Sequence, residues 1–445
     1  MIRPNSTHKA AYKPHAFSLF APARLCVILL IALMAAPIVF AQEPVDTIKV
    51  RTRVVFMDAL VKDKKTGIPL SNLKPENFEV LDDGKPRTIS YFTREGQARK
   101  PLALVLIFDC REDGAGRFLK RPEVIQAITE QLSKLSPGDE IGIMAMNIGE
   151  DEKRVWLTQF TNKPDQLAAA LARVPSFVDN PEVVAAELNK TKKETATKKD
   201  GGSLSIGSGG HDTAAAPTAP NPDILETETI KGKNGAVVTR TVMKDGSINL
   251  KRVNKSGKVI LELNDVYDMA AAVREATRLA ERERPNSQPA IVWVSDGIAP
   301  IFYEDRDATQ QILIRSNATF SSLTTDLRTL FKFLMPIAKP IGGWLGVSVY
   351  GSAKYLAQQT GGEALKVNRP KDFGAGLARI MGNLTARYSL GFALAEDEKD
   401  DGRMHELVIR VKALDEKGKE RRLEVSSRRG YFMPKTDNEQ AAATK

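Results

Sequence analysis

Two short stretches carry the residues most able to do chemistry. Asp109-Cys110-Arg111-Glu112-Asp113 follows the unbroken apolar run Leu102–Phe108, and Ser295-Asp296-Gly297 follows the apolar run Ala290–Val294. Runs of this kind are too short for helices, and they suit central parallel strands covered on both faces. Acidic residues directly after such strands lie in the crevice beyond the carboxyl ends, where open α/β sheets place their ligands. Carboxylates gathered there can hold a hard divalent cation through oxygen or a guanidinium through paired hydrogen bonds.

Other candidates are sparse. His8 and His15 lie in the first forty residues, so only His211 and His405 remain beyond them, too few for a histidine-rich zinc site or a Ser-His-Asp triad. Cys110 sits beside carboxylates that disfavour a thiolate, and it reads as a small packed residue rather than a nucleophile. Trp156 and Trp293 read as core residues. Thr360-Gly361-Gly362 lacks the Lys-Ser/Thr of a phosphate loop and fits a helix C-cap. Gly114-Ala115-Gly116 completes no dinucleotide fingerprint.

The elements around these residues alternate. Apolar positions in 121–135 and 267–284 follow helical spacing, strands are expected at 141–146, 290–294 and 318–323, and a helix at 309–315. Repeated βα units predict an α/β fold with a doubly wound, mostly parallel sheet over 101–384. Before it, 46–96 reads as a small β-sandwich-like module with a hairpin at Asp83-Gly84. Residues 176–262 interrupt the alternation as a projecting β-hairpin insertion. Its low-complexity part, 201–222, is too poor in apolar residues to offset its ordering entropy and is expected to be disordered. C-terminal β-strands occupy 385–434, and 435–445 forms a flexible tail.

The order of several stretches resembles von Willebrand factor type A (VWFA)-related proteins of acidobacteria over about 45–434. They are Phe78-Glu79-Val80-Leu81-Asp82-Asp83-Gly84-Lys85-Pro86, the strand ending at Asp109, Val266-Tyr267-Asp268-Met269-Ala270, Val294-Ser295-Asp296-Gly297, Leu356-Ala357-Gln358-Gln359-Thr360-Gly361-Gly362, Tyr388-Ser389-Leu390-Gly391-Phe392 and Arg429-Gly430-Tyr431. The resemblance implies a VWFA/Rossmann-like three-layer domain with a metal-ion-dependent adhesion site. Mg²⁺ or Mn²⁺ in such a site offers an open position to a partner's carboxylate. Its ligands would be Asp109, Asp113, Asn264 in the position of a threonine, and Asp296. Both serines of the family's first loop are replaced, however, and Arg111 brings a cation to where the ion would lie. Two outcomes are open: a degenerate site of low affinity, or Asp109, Asp113 and Asp296 paired with Arg111 as the positive centre.

The first forty-one residues read as a secretory signal, with Arg3, Lys9, Lys13 and Arg24 preceding an apolar run that ends in Val39-Phe40-Ala41. Its loss removes four cations and no acid, lowering the formal charge from +10 to +6. The basic strings at 190–199 and 417–422 carry no interleaved aromatic residues, which argues against nucleic-acid binding. The overall expectation is an exported, periplasmic or extracellular protein that binds a protein partner and is not an enzyme. The alternatives are a structural envelope protein with a vestigial site and a metal-dependent hydrolase. Mass spectrometry of the native protein is expected to find Gln42 as its first residue, and an intact Met1 would turn the leader into an anchor.

Overall fold

The computed structural model describes residues 53–94, 99–146, 154–179, 224–232, 235–243, 248–263, 269–325, 345–398 and 400–433. Residues 1–41, read above as a leader, the low-complexity part of the insertion, Asn264 and residues 435–445 lie outside them.

The chain starts with β1 (Val54–Asp63), β2 (Phe78–Asp82), β3 (Lys85–Arg87) and β4 (Tyr91–Thr93). Asp82 pairs with Lys85, so Asp83 and Gly84 alone form the β2–β3 loop, with φ +47° and +79°. That is the left-handed pair a two-residue hairpin requires, and the sequence supplies Asp-Gly for it.

β5 (Leu102–Asp109) is buried along its whole length. α1 (Pro122–Leu132), β6 (Glu140–Met146), β7 (Arg154–Thr161) and α2 (Pro164–Ala172) follow. The insertion contributes β8 (Ile224–Lys231), β9 (Val237–Met243), β10 (Ile248–Val253) and β11 (Val259–Leu263). After α3 (Met269–Glu283) come β12 (Gln288–Ser295), β13 (Ile298–Phe302), α4 (Tyr303–Arg315) and β14 (Thr319–Thr325). The chain closes with β15 (Val347–Tyr350), α5 (Ser352–Thr360), β16 (Ala364–Val367), α6 (Phe373–Thr385), β17 (Tyr388–Ala393), β18 (Met404–Val411), β19 (Leu423–Ser427) and β20 (Gly430–Phe432).

A six-stranded sheet of order β16-β14-β12-β5-β6-β7 forms the centre. Side chains alternate across it, as a strand's period of two dictates. Leu104, Leu106 and Phe108 share one core with Val124 and Ile128 of α1, Leu171 of α2 and Phe373 and Leu377 of α6. Val105 and Ile107 share another with Val273 of α3, Leu313 of α4 and Leu356 of α5. Each fully buried side chain of this size contributes about 1.5–3 kcal/mol, which is why a strand with seven successive apolar residues holds the middle of the sheet.

The expected doubly wound, VWFA/Rossmann-like fold is corrected by the sheet topology. Among the described residues only this central sheet contains parallel pairs, and its edge strand β7 runs antiparallel to β6. The other sheets are antiparallel, so the architecture is mixed α/β. Much of the difference arises because the N-terminal strands and the C-terminal strands, read from sequence as separate segments, pair with each other. β1 lies between β17 and β19, and β18 lies between β2 and β20. Val55, Met57, Val80, Tyr388, Phe392, Leu407 and Tyr431 fill the core between those two sheets. The Tyr388 hydroxyl donates to Leu70 O at 2.8 Å and accepts from the Leu73 N–H at 2.9 Å, fastening the β1–β2 connection to β17.

The insertion is also more than a projecting hairpin. β8 to β11 form a four-stranded antiparallel sheet, and Ile230, Val238 and Leu250 pack on Phe302 and Val347. Buried ions reinforce the contact. Arg252 of β10 pairs with Glu304 at 2.8 Å, while Arg274 of α3, 2% exposed, bonds both Asp305 of α4 and Glu228 of β8. Removing one partner from such a network strands a buried charge, at a cost of about 3–5 kcal/mol. Arg274→Ala is therefore expected to lower the urea midpoint strongly, and a shift equal to that of an exposed Arg→Ala control would remove this network from the stability of the fold.

Candidate functional site

β5 and β12 are parallel neighbours in register, with Phe108 opposite Val294. Their carboxyl ends therefore carry Asp109 and Asp296 to one corner. Asp109 is fully buried and Asp296 is 5% exposed.

Arg111 occupies the space between them. Its Nε donates to Asp109 Oδ1 at 3.0 Å and its Nη2 to Asp109 Oδ2 at 2.8 Å. The same Nη2 reaches Asp296 Oδ1 at 3.0 Å and the Ile298 carbonyl at 3.2 Å. The fork on Asp109 is the bidentate geometry that a planar guanidinium matches and an ammonium does not. Ser295 adds its hydroxyl, which donates to Asp109 Oδ2 at 2.7 Å and lies 3.3 Å from Asp296 Oδ1. Backbone completes the cradle, with the Arg111 N–H donating to Asp109 Oδ1 at 3.2 Å and the Ile298 N–H to Asp296 Oδ1 at 2.8 Å.

The loop after β5 is shaped by two glycines. A Cβ on Gly116 would lie 2.5 Å from the Arg111 carbonyl, and one on Gly114 would lie 3.1 Å from Asp296 Oδ2. Both allow the wide turn that folds the loop back beneath Asp296, with Gly114 N–H and Gly116 N–H donating to Arg111 O. The glycines that fail as a nucleotide fingerprint are thus packing residues of this site. Gly361, at φ +76°, caps α5 as expected of Thr360-Gly361-Gly362.

Electrostatics follows from burial. Desolvation raises the Asp296 carboxyl above its ordinary range, neighbouring Asp109 adds to the rise, and Arg111 opposes both. Burial, and after it the charge of Asp109, push the Cys110 thiol well up, so it stays protonated and unreactive. Trp293 is fully buried, and Trp156 is half-buried with its indole N–H donating to Glu275 at 2.8 Å.

The structure thus brings together three of the residues singled out from sequence: Asp109, Arg111 and Asp296. Asn264 and the side chain of Asp113 lie outside what is described. Ser295 and the Ile298 carbonyl were missed. Ser295 had a signal in its place directly before Asp296 at a strand end, whereas a backbone carbonyl has none. The oxygens that would face Mg²⁺ already accept from Arg111, Ser295 and the Ile298 N–H, so the residues do not fit that ion while Arg111 holds this position.

No family model and no curated protein matches the chain. Among solved structures it is similar to the pilus adhesin SpaC from Lactobacillus rhamnosus GG in its open conformation, at 8% identity and a TM-score of 0.32, over 82% of this chain and 48% of that one. It is also similar to the three N-terminal domains of the type V pili tip protein Mfa5 from Porphyromonas gingivalis, at 14% identity and a TM-score of 0.14, over 28% of this chain and 20% of that one. The chain spans about half the length of the SpaC chain. Overlaps this shallow define neither fold nor function.

Arg111→Ser removes the guanidinium that bridges the two carboxylates and leaves like charges facing each other in a buried corner. The variant is expected to lose thermal stability in EDTA, to recover it with Mg²⁺ or Mn²⁺, and to bind either ion at least tenfold more tightly than the wild type by calorimetric titration. Adding Asp296→Ala should abolish the gain. Equal ion affinity in wild type and Arg111→Ser would mean that Arg111 does not compete for this position.

Proposed function

We propose that this is an exported, non-catalytic binding protein that recognises a protein partner at the carboxyl-end corner of the central sheet, with the Arg111 guanidinium standing where a divalent ion would otherwise lie. The observation that carries the reading is the bridge from Arg111 to Asp109 and Asp296, with the arginine side chain 26% exposed to solvent. A fixed cation at a sheet end, held by two buried carboxylates and reached from outside, is built to receive acceptor groups of a partner.

Hydrolysis is less well supported. Both carboxylates are engaged by Arg111, the adjacent Cys110 is a buried, protonated thiol, and the described histidine, His405, belongs to β18 rather than to the strands that form this corner. Export is supported by the leader pattern of 1–41. Among the described residues no helix is long and apolar enough to cross a membrane.

The test is capture from envelope extract on the immobilised full chain, with and without EDTA. The same partner is expected in both conditions, and Arg111→Met, assayed at a temperature where circular dichroism shows it folded, is expected to cut its recovery at least tenfold. Capture abolished by EDTA would return recognition to a bound metal, and no capture at all would leave Arg111 a structural bridge.

A further inference from the structure

A second cluster lies where the β2–β3 hairpin meets β18, outside the central sheet that carries Asp109 and Asp296. Leu407 of β18 pairs with Asp82, and the Asp83 N–H donates to Glu406 O at 2.9 Å, which sets His405 against the hairpin loop. The left-handed backbone at Asp83 bends the chain so that two successive carboxylates both face the imidazole, which an extended strand forbids.

The distances are those of a ligand set. One atom each from Asp82, Asp83 and His405 lies within 4.8 Å of the others. His405 Nδ1 is 3.0 Å from Asp83 Oδ2 and 4.0 Å from Asp82 Oδ1. Bonds of 2.0–2.1 Å about a tetrahedral zinc put its ligands about 3.3 Å apart, so atoms within 4.8 Å of one another must approach by at most about 1.5 Å. On the other side of the ring, His405 Nε2 is 3.2 Å from Asp401 Oδ1. A carboxylate on the far nitrogen fixes the ring and its tautomer, as it does behind metal-bound histidines generally.

Asp82 supplies an independent observation. Its Oδ2 is fully used, accepting from Arg87 Nη2 at 2.7 Å, Arg87 Nε at 3.0 Å and the Tyr431 hydroxyl at 3.2 Å. Its Oδ1, on a residue 4% exposed, is buried with no hydrogen-bond donor among the described residues, and it points at the imidazole. A buried carboxylate oxygen without a donor is costly, and a cation beside Nδ1 would satisfy it.

We propose that Asp82 Oδ1, Asp83 Oδ2 and His405 Nδ1 form a binding site for a divalent transition-metal ion of the zinc type, with Asp401 as its positioning residue. The imidazole selects against Mg²⁺ and Ca²⁺, which prefer all-oxygen sites. Arg403 donates through Nη2 to Asp83 Oδ2 at 2.8 Å and through Nε to Asp401 Oδ2 at 2.7 Å, so an ion at Asp83 Oδ2 must displace its Nη2; the side chain is 56% exposed and Asp83 33% exposed, which gives the displaced guanidinium and a water room on the solvent side. The site is separate from the Arg111 corner, so the two proposals stand or fall independently.

The experiment is calorimetric titration of the full chain with ZnCl₂, with MgCl₂ as the comparison ion, alongside ion-free melting curves. The expected result is one zinc per chain at micromolar affinity or tighter, a raised melting temperature, and no heat with MgCl₂. Asp83→Asn and His405→Asn should each weaken zinc by at least tenfold. Asp401→Asn, at an exposed residue, should weaken it about tenfold or more, with its folding checked by its own ion-free melting curve. His211→Asn should bind as the wild type does. The proposal is overturned if the folded wild type takes up no zinc, if His211→Asn abolishes the uptake, or if Asp83→Asn and Asp401→Asn both bind like the wild type; the last two variants decide the matter even if His405→Asn fails to fold.

Discussion

Two carboxylates carried by adjacent parallel strands to the same buried corner repel each other unless a cation lies between them, and in this protein the cation is covalently attached to the chain. Arg111 Nη2 bonds both Asp109 and Asp296, and Ser295 and the Ile298 N–H complete the oxygens' coordination. Much of the local structure follows from that demand. The loop after β5 must turn back within two residues to bring the guanidinium over its own strand end, and Gly116 makes the turn possible where a Cβ would collide with the Arg111 carbonyl, while a Cβ at Gly114 would crowd the Asp296 carboxylate. A π-like widening of the turn and the burial of Cys110 beneath it are consequences of the same return.

The same device recurs between elements. Lys62 of β1 pairs with Glu363 just before β16, Arg252 of β10 with Glu304 of α4, and Arg274 of α3 with Asp305 and Glu228. Each ties together elements that are distant in sequence. Among the described residues there is one cysteine, Cys110, and no disulfide to do this. Buried ion pairs add little net stability over well-packed hydrophobic residues, but an unpaired member is so costly that alternative arrangements of the elements are excluded. Their contribution is to fix how the inserted sheet and the antiparallel sheets attach to the central one.

Local pattern carried the central elements well. The continuous apolarity of 102–108 and 290–294, and the helical spacing of 121–135 and 267–284, correspond to β5, β12, α1 and α3 within a few residues, and the Asp-Gly hairpin lies where it was read. Long-range pairing was not legible. Val54 pairs with Ala393, some 340 residues away, and no periodicity in either strand names its partner. That pairing, with the antiparallel sheets it builds, is what the reading of one doubly wound sheet lacked. His405 was counted as a leftover histidine for the same reason, because its place beside Asp82 and Asp83 depends on the register of β18 against β2.

Exchanging an ion for a guanidinium changes what a site of this kind responds to. A divalent ion leaves when its concentration falls or a chelator competes, and it presents an open coordination position of high field strength. A guanidinium never dissociates and never deprotonates at physiological pH, but it has a weaker field, and here it spends much of its hydrogen-bonding capacity on Asp109 and Asp296. What remains for a partner is the 26% of the side chain that faces solvent, and an interaction there is screened by ordinary salt. Recognition through Arg111 would therefore be constant with respect to metal supply and sensitive to ionic strength, whereas the imidazole and carboxylates at His405 keep the ion-dependent chemistry. If both proposals hold, the protein separates a permanent cation for contact from an exchangeable one for metal response, on two parts of the fold joined by buried ion pairs such as that of Lys62 with Glu363.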